Sequence, residues 1–233
     1  MGAMVQVLAH RGANRMAREN TVAAFRAAAA LGAAGVELDV RATADGRLVV
    51  HHDPTVEGIG PIAEVAGAGL PEWLPSLAQA LDACAGLGLV NVEIKPDGAP
   101  ADLAVAVAGL LSGRPPTPAL LVSSFDLGMV DAHRAAAASV PTGWLCAVPV
   151  EAAVAVAMVA DRGHAAFHPH HLLIDAALVS AAHQRGLMVV AWTVNEPSRA
   201  IELAALGVEV IISDVPDVII QALGMTSPST PGS

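Results

Sequence analysis

An eight-stranded (β/α)8 barrel is the fold class this 233-residue chain predicts, on three observations. Short runs rich in Val, Ile and Leu alternate with longer Ala-rich segments of helical period, the mark of repeated β-α units on a parallel sheet. Eight such runs can be counted. Polar residues gather at the C-terminal ends of the runs, and a closed barrel brings those ends to one face, where such folds carry their active sites. A doubly wound open sheet fits the periodicity equally well, but the placement of the polar residues favours the barrel. The length is that of one barrel domain, 1–224, followed by a disordered tail, 225–233. The tail MTSPSTPGS is too rich in Ser, Pro and Thr to bury apolar surface.

The strands in order are VQVLA, GVELDV, LVNVEIK, ALLVS, TGWLCA, AAFH, LMVVAWTV and VEVIIS. Helices are expected to begin near Asn20, Ser76, Ala101, Asp126, Val150, Asp175, Pro197 and Pro216, several with an Asn, Ser or Asp N-cap or a Pro in the first turn. After the second strand, Asp45-Gly46 is a strong turn signal between RAT and RLVVHH, so a hairpin extension is predicted there.

The composition narrows the function. Hydrophobic residues make up 54% of the chain, yet no run reaches the roughly 18 apolar residues of a spanning helix. The first residues, MGAMVQVLAH, lack a basic segment followed by an apolar one, so the expectation is a cytoplasmic protein without a secretion signal or a membrane span. Cys84 and Cys146 lie far apart in apolar segments and read as buried thiols. A net charge of -10 with only 12 Lys and Arg argues against a nucleic-acid partner. A homo-oligomer is left open.

The stretch VELDVRATADGRLVVHHD, residues 36–53, concentrates the titratable chemistry. By the two-residue period of a strand, Glu37 and Asp39 share a face, as do Glu93 and Lys95 in VNVEIK. Three inward carboxylates are costly to bury unless a cation neutralises them or their pKa values rise. Three oxygen ligands without Cys favour one divalent Mg²⁺ or Ca²⁺ over Zn²⁺. The plainer alternative is a set of salt bridges to Lys95 and nearby arginines. On the return arm of the hairpin one of His51 and His52 faces the same cup, and His52 is the candidate, with His51 its solvated neighbour. His10, in HRG after the first strand, is the second candidate, and Arg11 beside it suits an anionic oxygen.

HRG at 10–12, ENTVAAF at 19–25, GVELDV at 35–40, TADG at 43–46, HD at 52–53, VEIK at 92–95, SSF at 123–125, WTVN at 192–195 and SDVP at 213–216 resemble the glycerophosphodiester phosphodiesterase family in order and spacing. The resemblance implies a TIM barrel, a divalent cation, and hydrolysis of glycerophosphodiesters to glycerol 3-phosphate and an alcohol, hence a place in glycerol and lipid metabolism. It assigns Glu37, Asp39 and Glu93 as metal ligands, His10 and His52 as the catalytic pair, and Arg11 and Lys95 as phosphate contacts. The chain departs from the family pattern after the HD pair, where DPTVEGIGPIAEVAGAGLPEW forms a shortened capping insertion. With no Tyr and six aromatics in all, an aromatic cage for a choline head group is hard to build, and Phe125, Trp192 and Trp73 are the residues available to wall a substrate pocket.

Other polar residues carry less. The run FHPHHLL offers His168, His170 and His171 without a partnering His-x-His on the first strand, so His168 is a candidate for lining the cup and the other two read as rim residues. Asn195 and Asp214 read as organisers of loops or helix starts, and Ser123 and Ser124 lack a triad. Three rival readings of the chain are a sphingomyelinase D-like phosphodiester lyase, a non-catalytic metabolite-binding barrel and a metal-dependent hydrolase of another substrate.

Overall fold

The computed structural model describes residues 5–96 and 102–225, so the predicted tail lies, beyond Met225, outside the described residues. Strand β1 (Gln6–Ala9) leads to α1 (Val22–Ala30), and β2 (Gly35–Ala42) turns through a hairpin into β3 (Leu48–Val50). A short antiparallel ribbon, β4 (Thr55–Val56) and β5 (Gly60–Pro61), precedes α2 (Leu77–Ala83). The order is then regular: β6 (Leu89–Ile94), α3 (Leu103–Ser112), β7 (Ala119–Ser124), α4 (Leu127–Ala136), β8 (Thr142–Cys146), α5 (Ala152–Asp161), β9 (Ala166–Pro169), α6 (Ala176–Gln184), β10 (Met188–Ala191), α7 (Pro197–Leu206), β11 (Val210–Ser213) and α8 (Pro216–Ala222). Strands β1, β2 and β6 to β11 are parallel to their neighbours, and β1 pairs with both β2 and β11, which closes the sheet. The architecture is a (β/α)8 TIM barrel, and the eight expected strands are its staves.

Strand alternation divides the core into an inner and an outer part. Leu8, Leu89, Leu121, Ala166, Val190, Val210 and Ile212 pack inside the barrel. Val36, Leu38, Val40, Val90, Val92 and Ile94 point outward and meet Phe25, Leu77, Leu81, Leu103 and Val107 of the helices. Each such side chain contributes about 1.5–3 kcal/mol by leaving water. A second outer cluster joins β8 to β11 with α5 to α8 around Phe167, Val189 and Ile211. Outward valines and isoleucines therefore fasten the staves, which leaves the inward positions near the C-terminal rim free to carry charge.

Helix starts follow the expected chemistry with small shifts. Thr21, rather than Asn20, caps α1, and Ser76 forms a capping box with Gln79 on α2. Asp126, Glu151 and Asp175 accept from first-turn amides, and Pro197 and Pro216 open α7 and α8. Ala101 falls outside the described residues, and Asp102 precedes α3.

The hairpin forms as predicted, with Val40 opposite Val50 and Ala42 opposite Leu48. Gly46 takes φ +77°, the left-handed turn conformation that glycine adopts without strain. Asp45 ties this turn to the insertion by accepting from the Gly67 amide at 2.9 Å. The insertion itself, between β3 and α2, adds a small cluster of Val49, Val56, Ile62 and Leu74. Among the described residues no helix is long and apolar enough to cross a membrane.

Candidate active site

The inward carboxylates meet as the strand register dictates. Asp39 of β2 lies opposite Glu93 of β6, and Glu37 sits one pleat deeper. Glu37, Asp39 and Glu93 are all buried, and each offers an oxygen within 4.8 Å of those of the other two. Burial, then the neighbouring Asp39 and Glu93 charges, raise the Glu37 carboxyl well above its ordinary range. Burial, with Asp39, pushes Glu93 up to about 7. Burial acts the same way on Asp39, but the Lys95 and Arg11 charges and an Asn20 hydrogen bond outweigh it and hold the group below its usual value.

Two cations lean on this cluster. The Lys95 ammonium lies 3.0 Å from Asp39 and 2.5 Å from Glu93. Arg11 donates to both Glu19 oxygens at 3.0 and 3.1 Å and approaches Asp39 to 3.4 Å. With Glu19, Glu37, Asp39 and Glu93 all ionised, two cations would leave two negative charges unbalanced, and the raised pKa values of Glu37 and Glu93 express that cost. One oxygen of Glu37 is buried without a hydrogen-bond donor among the described residues. A divalent cation would balance the charge and take up that oxygen, so the residues present fit a hard metal ion and the cluster could hold one.

The first loop ties HRG to ENT. Arg11 has φ 56° and Gly12 φ 77°, so the chain reverses sharply after β1 and aims the Arg11 amide at Glu37, 3.0 Å away. A side chain on Gly12 would come within 2.7 Å of the Ala24 backbone. Asn20, also left-handed at φ 57°, donates to Asp39 at 2.7 Å and accepts from its amide. Glu19 and Asn20 therefore set Arg11 and Asp39 in place.

Each histidine of the pair is anchored through Nδ1. His10 Nδ1 donates to Asp214 at 2.7 Å, and His52 Nδ1 donates to Asp53 at 2.8 Å. Carboxylates only accept, so the proton belongs on Nδ1 and Nε2 is left as the working nitrogen. Asp214 sits well below the ordinary carboxylate range: burial alone would raise it, but hydrogen bonds from His10, Asn195 and Asn14 prevail. His10 Nε2 stands 3.9 Å from Glu37. Arg41, buried beneath the hairpin, donates from Nε and Nη2 to the His52 carbonyl at 3.0 and 2.6 Å and fixes the return arm.

A cavity of ≈ 220 Å³ opens over these groups, lined by His10, Arg11, Glu37, His52, Asn91, Glu93 and Lys95, with Phe125 and Trp192 on one wall. The two aromatic rings meet edge to face at 5.3 Å. The predicted catalytic and phosphate-binding residues, Phe125, Trp192, Glu37 and Glu93 all line this cavity, Asp39 is buried against Arg11 and Lys95, and Trp73 lines a different cavity. The sequence reading missed Asn20, Arg41, Asp53 and Asn91, and it read Asp214 as a loop organiser rather than the partner of His10.

Two expectations need correction. His51 is half-buried: its ring lies 5.9 Å from Trp73, and burial lowers its pKa, so it is not a solvated rim residue. His168 does not line the cup. It is fully buried inside the barrel against Gly143, and desolvation pushes its pKa down to about 3, so it stays neutral. His170 and His171 pack against each other at the rim, as expected. Ser123 accepts from Asn91 and Ser124 donates to the Ile94 carbonyl, so neither is paired with a histidine.

Comparison with known proteins supports the fold and the family. The sequence matches the glycerophosphoryl diester phosphodiesterase family over residues 10–68 and 63–218. It is 30% identical over 240 residues to a glycerophosphodiester phosphodiesterase of Caldanaerobacter subterraneus subsp. tengcongensis, covering 92% of this chain and 96% of that protein. The fold superposes with a TM-score of 0.85 on an Oleispira antarctica phosphodiesterase in complex with the product sn-glycerol-3-phosphate, at 28% identity over 95% of this chain and 97% of the other. A glycerophosphodiester phosphodiesterase from Thermotoga maritima gives 0.80 at 25% identity, over 95% and 99% of the two chains. By its motifs, its barrel and these relatives, the chain belongs to the glycerophosphoryl diester phosphodiesterase family.

Proposed function

We propose that this protein hydrolyses glycerophosphodiesters to glycerol 3-phosphate and an alcohol, with Glu37, Asp39 and Glu93 holding one Mg²⁺ or Ca²⁺ and His10 and His52 as the acid/base pair. The observation that carries the reading is the convergence of two Nδ1-anchored imidazoles on the cavity that also contains the carboxylate cluster. The Oleispira relative with its bound product supports a small-molecule substrate of this class.

A phosphodiester resists attack because its oxygens already carry negative charge, so catalysis must neutralise them, deprotonate the attacking oxygen and protonate the leaving one. The metal, when bound, would supply Lewis-acid charge beside the phosphoryl group. Lys95 and Arg11 add fixed positive charge there. One imidazole Nε2 takes the proton from the attacking oxygen as its bond to phosphorus forms; that oxygen is either water, which gives glycerol 3-phosphate directly, or the substrate's own glycerol hydroxyl, which gives a cyclic phosphate that water then opens with the same pair of proton transfers. The other, protonated, gives its proton to the alcohol oxygen as the second bond to phosphorus breaks. Phe125 and Trp192 wall the glycerol side. The unit we assign is a single barrel domain, 1–224, and the cytoplasm is the proposed compartment, since Cys84 and Cys146 are buried and unpaired as suits a reducing environment.

Mutation of the pair tests the assignment. His10→Ala and His52→Ala should each lower kcat by about 10²–10⁴ and remove one limb of a bell-shaped pH–rate profile. A profile that keeps both limbs in both variants would overturn it. Retention of bound diesters with no turnover in the wild type would favour a binding barrel instead.

A further inference from the structure

A second cavity, of ≈ 350 Å³, lies beside the first and is lined by Arg18, His51, Asp53, Glu57 and Trp73. It joins Arg18, of the loop between β1 and α1, to residues at the end of the hairpin and in the insertion, where the chain departs from its family. The Arg18 guanidinium stacks 3.6 Å above the Trp73 ring. Among the described residues it enters no ion pair, so its planar fork of donors is open to a ligand. Asp53 is exposed and gives one oxygen to His52, and Glu57 is exposed. The His52–Asp53 pair stands between the two cavities, since His52 lines the first and Asp53 the second.

That placement bears on the leaving group. An alcohol whose oxygen took its proton from His52 would have Asp53 and the second cavity beside it. Arg18 already covers a face of the only tryptophan there, so a quaternary ammonium finds no aromatic cage. A carboxylate would find the Arg18 fork, and a primary ammonium would find Asp53 and Glu57. We propose that this cavity seats the leaving alcohol and selects one that carries both an ammonium and a carboxylate group, with Arg18 as the specificity-determining residue. The proposal rests on the phosphodiesterase reading above and adds His52 as the side on which the alcohol leaves.

The test compares kcat/KM for glycerophosphoserine, glycerophosphoethanolamine and glycerophosphocholine in the wild type and in Arg18→Ala. The serine ester should be preferred over the choline ester by about tenfold or more, and Arg18→Ala should cut that preference by about tenfold, the worth of one charge-assisted hydrogen bond. Arg18→Lys, which keeps the charge but not the fork, should fall between. A wild type without the preference, or an Arg18→Ala variant in which all three esters lose the same factor, would overturn the subsite and leave the hydrolase standing, because a strap that merely pins the insertion would affect every diester alike. No turnover of any diester would instead sink the hydrolase reading, and binding then decides the subsite. L-serine should shift the indole N–H resonance of Trp73 in the wild type and not in Arg18→Ala, and choline should not shift it. Equal shifts from the two ligands, or none from L-serine, would contradict the proposal.

Discussion

Asp214 and Asp53 do for the two histidines what the sequence alone did not disclose. Each carboxylate receives Nδ1–H and so dictates the tautomer that leaves Nε2 free. In Asp214→Asn the amide can donate to Nδ1 and move the proton to Nε2, where it blocks a base. The expected result is a loss of about a hundredfold or more in kcat with KM little changed, measured by steady-state kinetics. Unchanged kcat would mean that His10 needs no anchor. The pairing was not legible because its members lie 204 positions apart and no local pattern links them. Glu37 and Asp39 were legible for the opposite reason: two acids on one face of a strand defy the period that buries valine and leucine, and their burial has a cost that only cations or raised pKa values can meet.

At the scale of elements, the hairpin and the loop after β1 are the parts that turn a generic barrel into a site. The hairpin was readable because Asp45-Gly46 sits between two alternating arms, and its register decides that His52, one residue past the half-buried His51, reaches the cavity. The insertion was not readable. It has no period, and the contacts that order it, such as Asp45 with Gly67 and Arg18 with Trp73, come from distant segments. For the same reason His51 passed for a solvated residue. The first loop makes a sharper prediction. Gly12 is left-handed and pressed against the Ala24 backbone, so Gly12→Ala should cost about 2 kcal/mol or more of stability and displace the Arg11 amide from Glu37. Denaturant unfolding checks the first effect. A variant as stable as the wild type would show that the loop yields without strain.

Across the whole molecule, the fold was legible to the extent that hydrophobic period alone specifies it, and the buried histidines mark where it was not. His133 on α4 is fully buried, and neither ring nitrogen has a hydrogen-bond partner among the described residues. Desolvation lowers its pKa from 6.5 to about 4. The folded state therefore binds this proton less readily than the unfolded chain does. Stability should be full above pH 6.5 and fall as the pH drops towards 4, by up to about 3 kcal/mol from this residue. His133→Leu should accordingly shift the acid-unfolding midpoint to lower pH in a circular-dichroism titration, and a midpoint that stays put would contradict the account. The carboxylate cluster at the barrel mouth makes the parallel claim for function, because Glu37, Asp39 and Glu93 together could hold a divalent ion. The most direct measurement is the release of glycerol 3-phosphate from a glycerophosphodiester by the purified protein, before and after chelation and again after Mg²⁺ or Ca²⁺ is restored. The account predicts release that chelation abolishes and the restored ion recovers. Release that is indifferent to chelation, or absent with every ion and diester supplied, would contradict it.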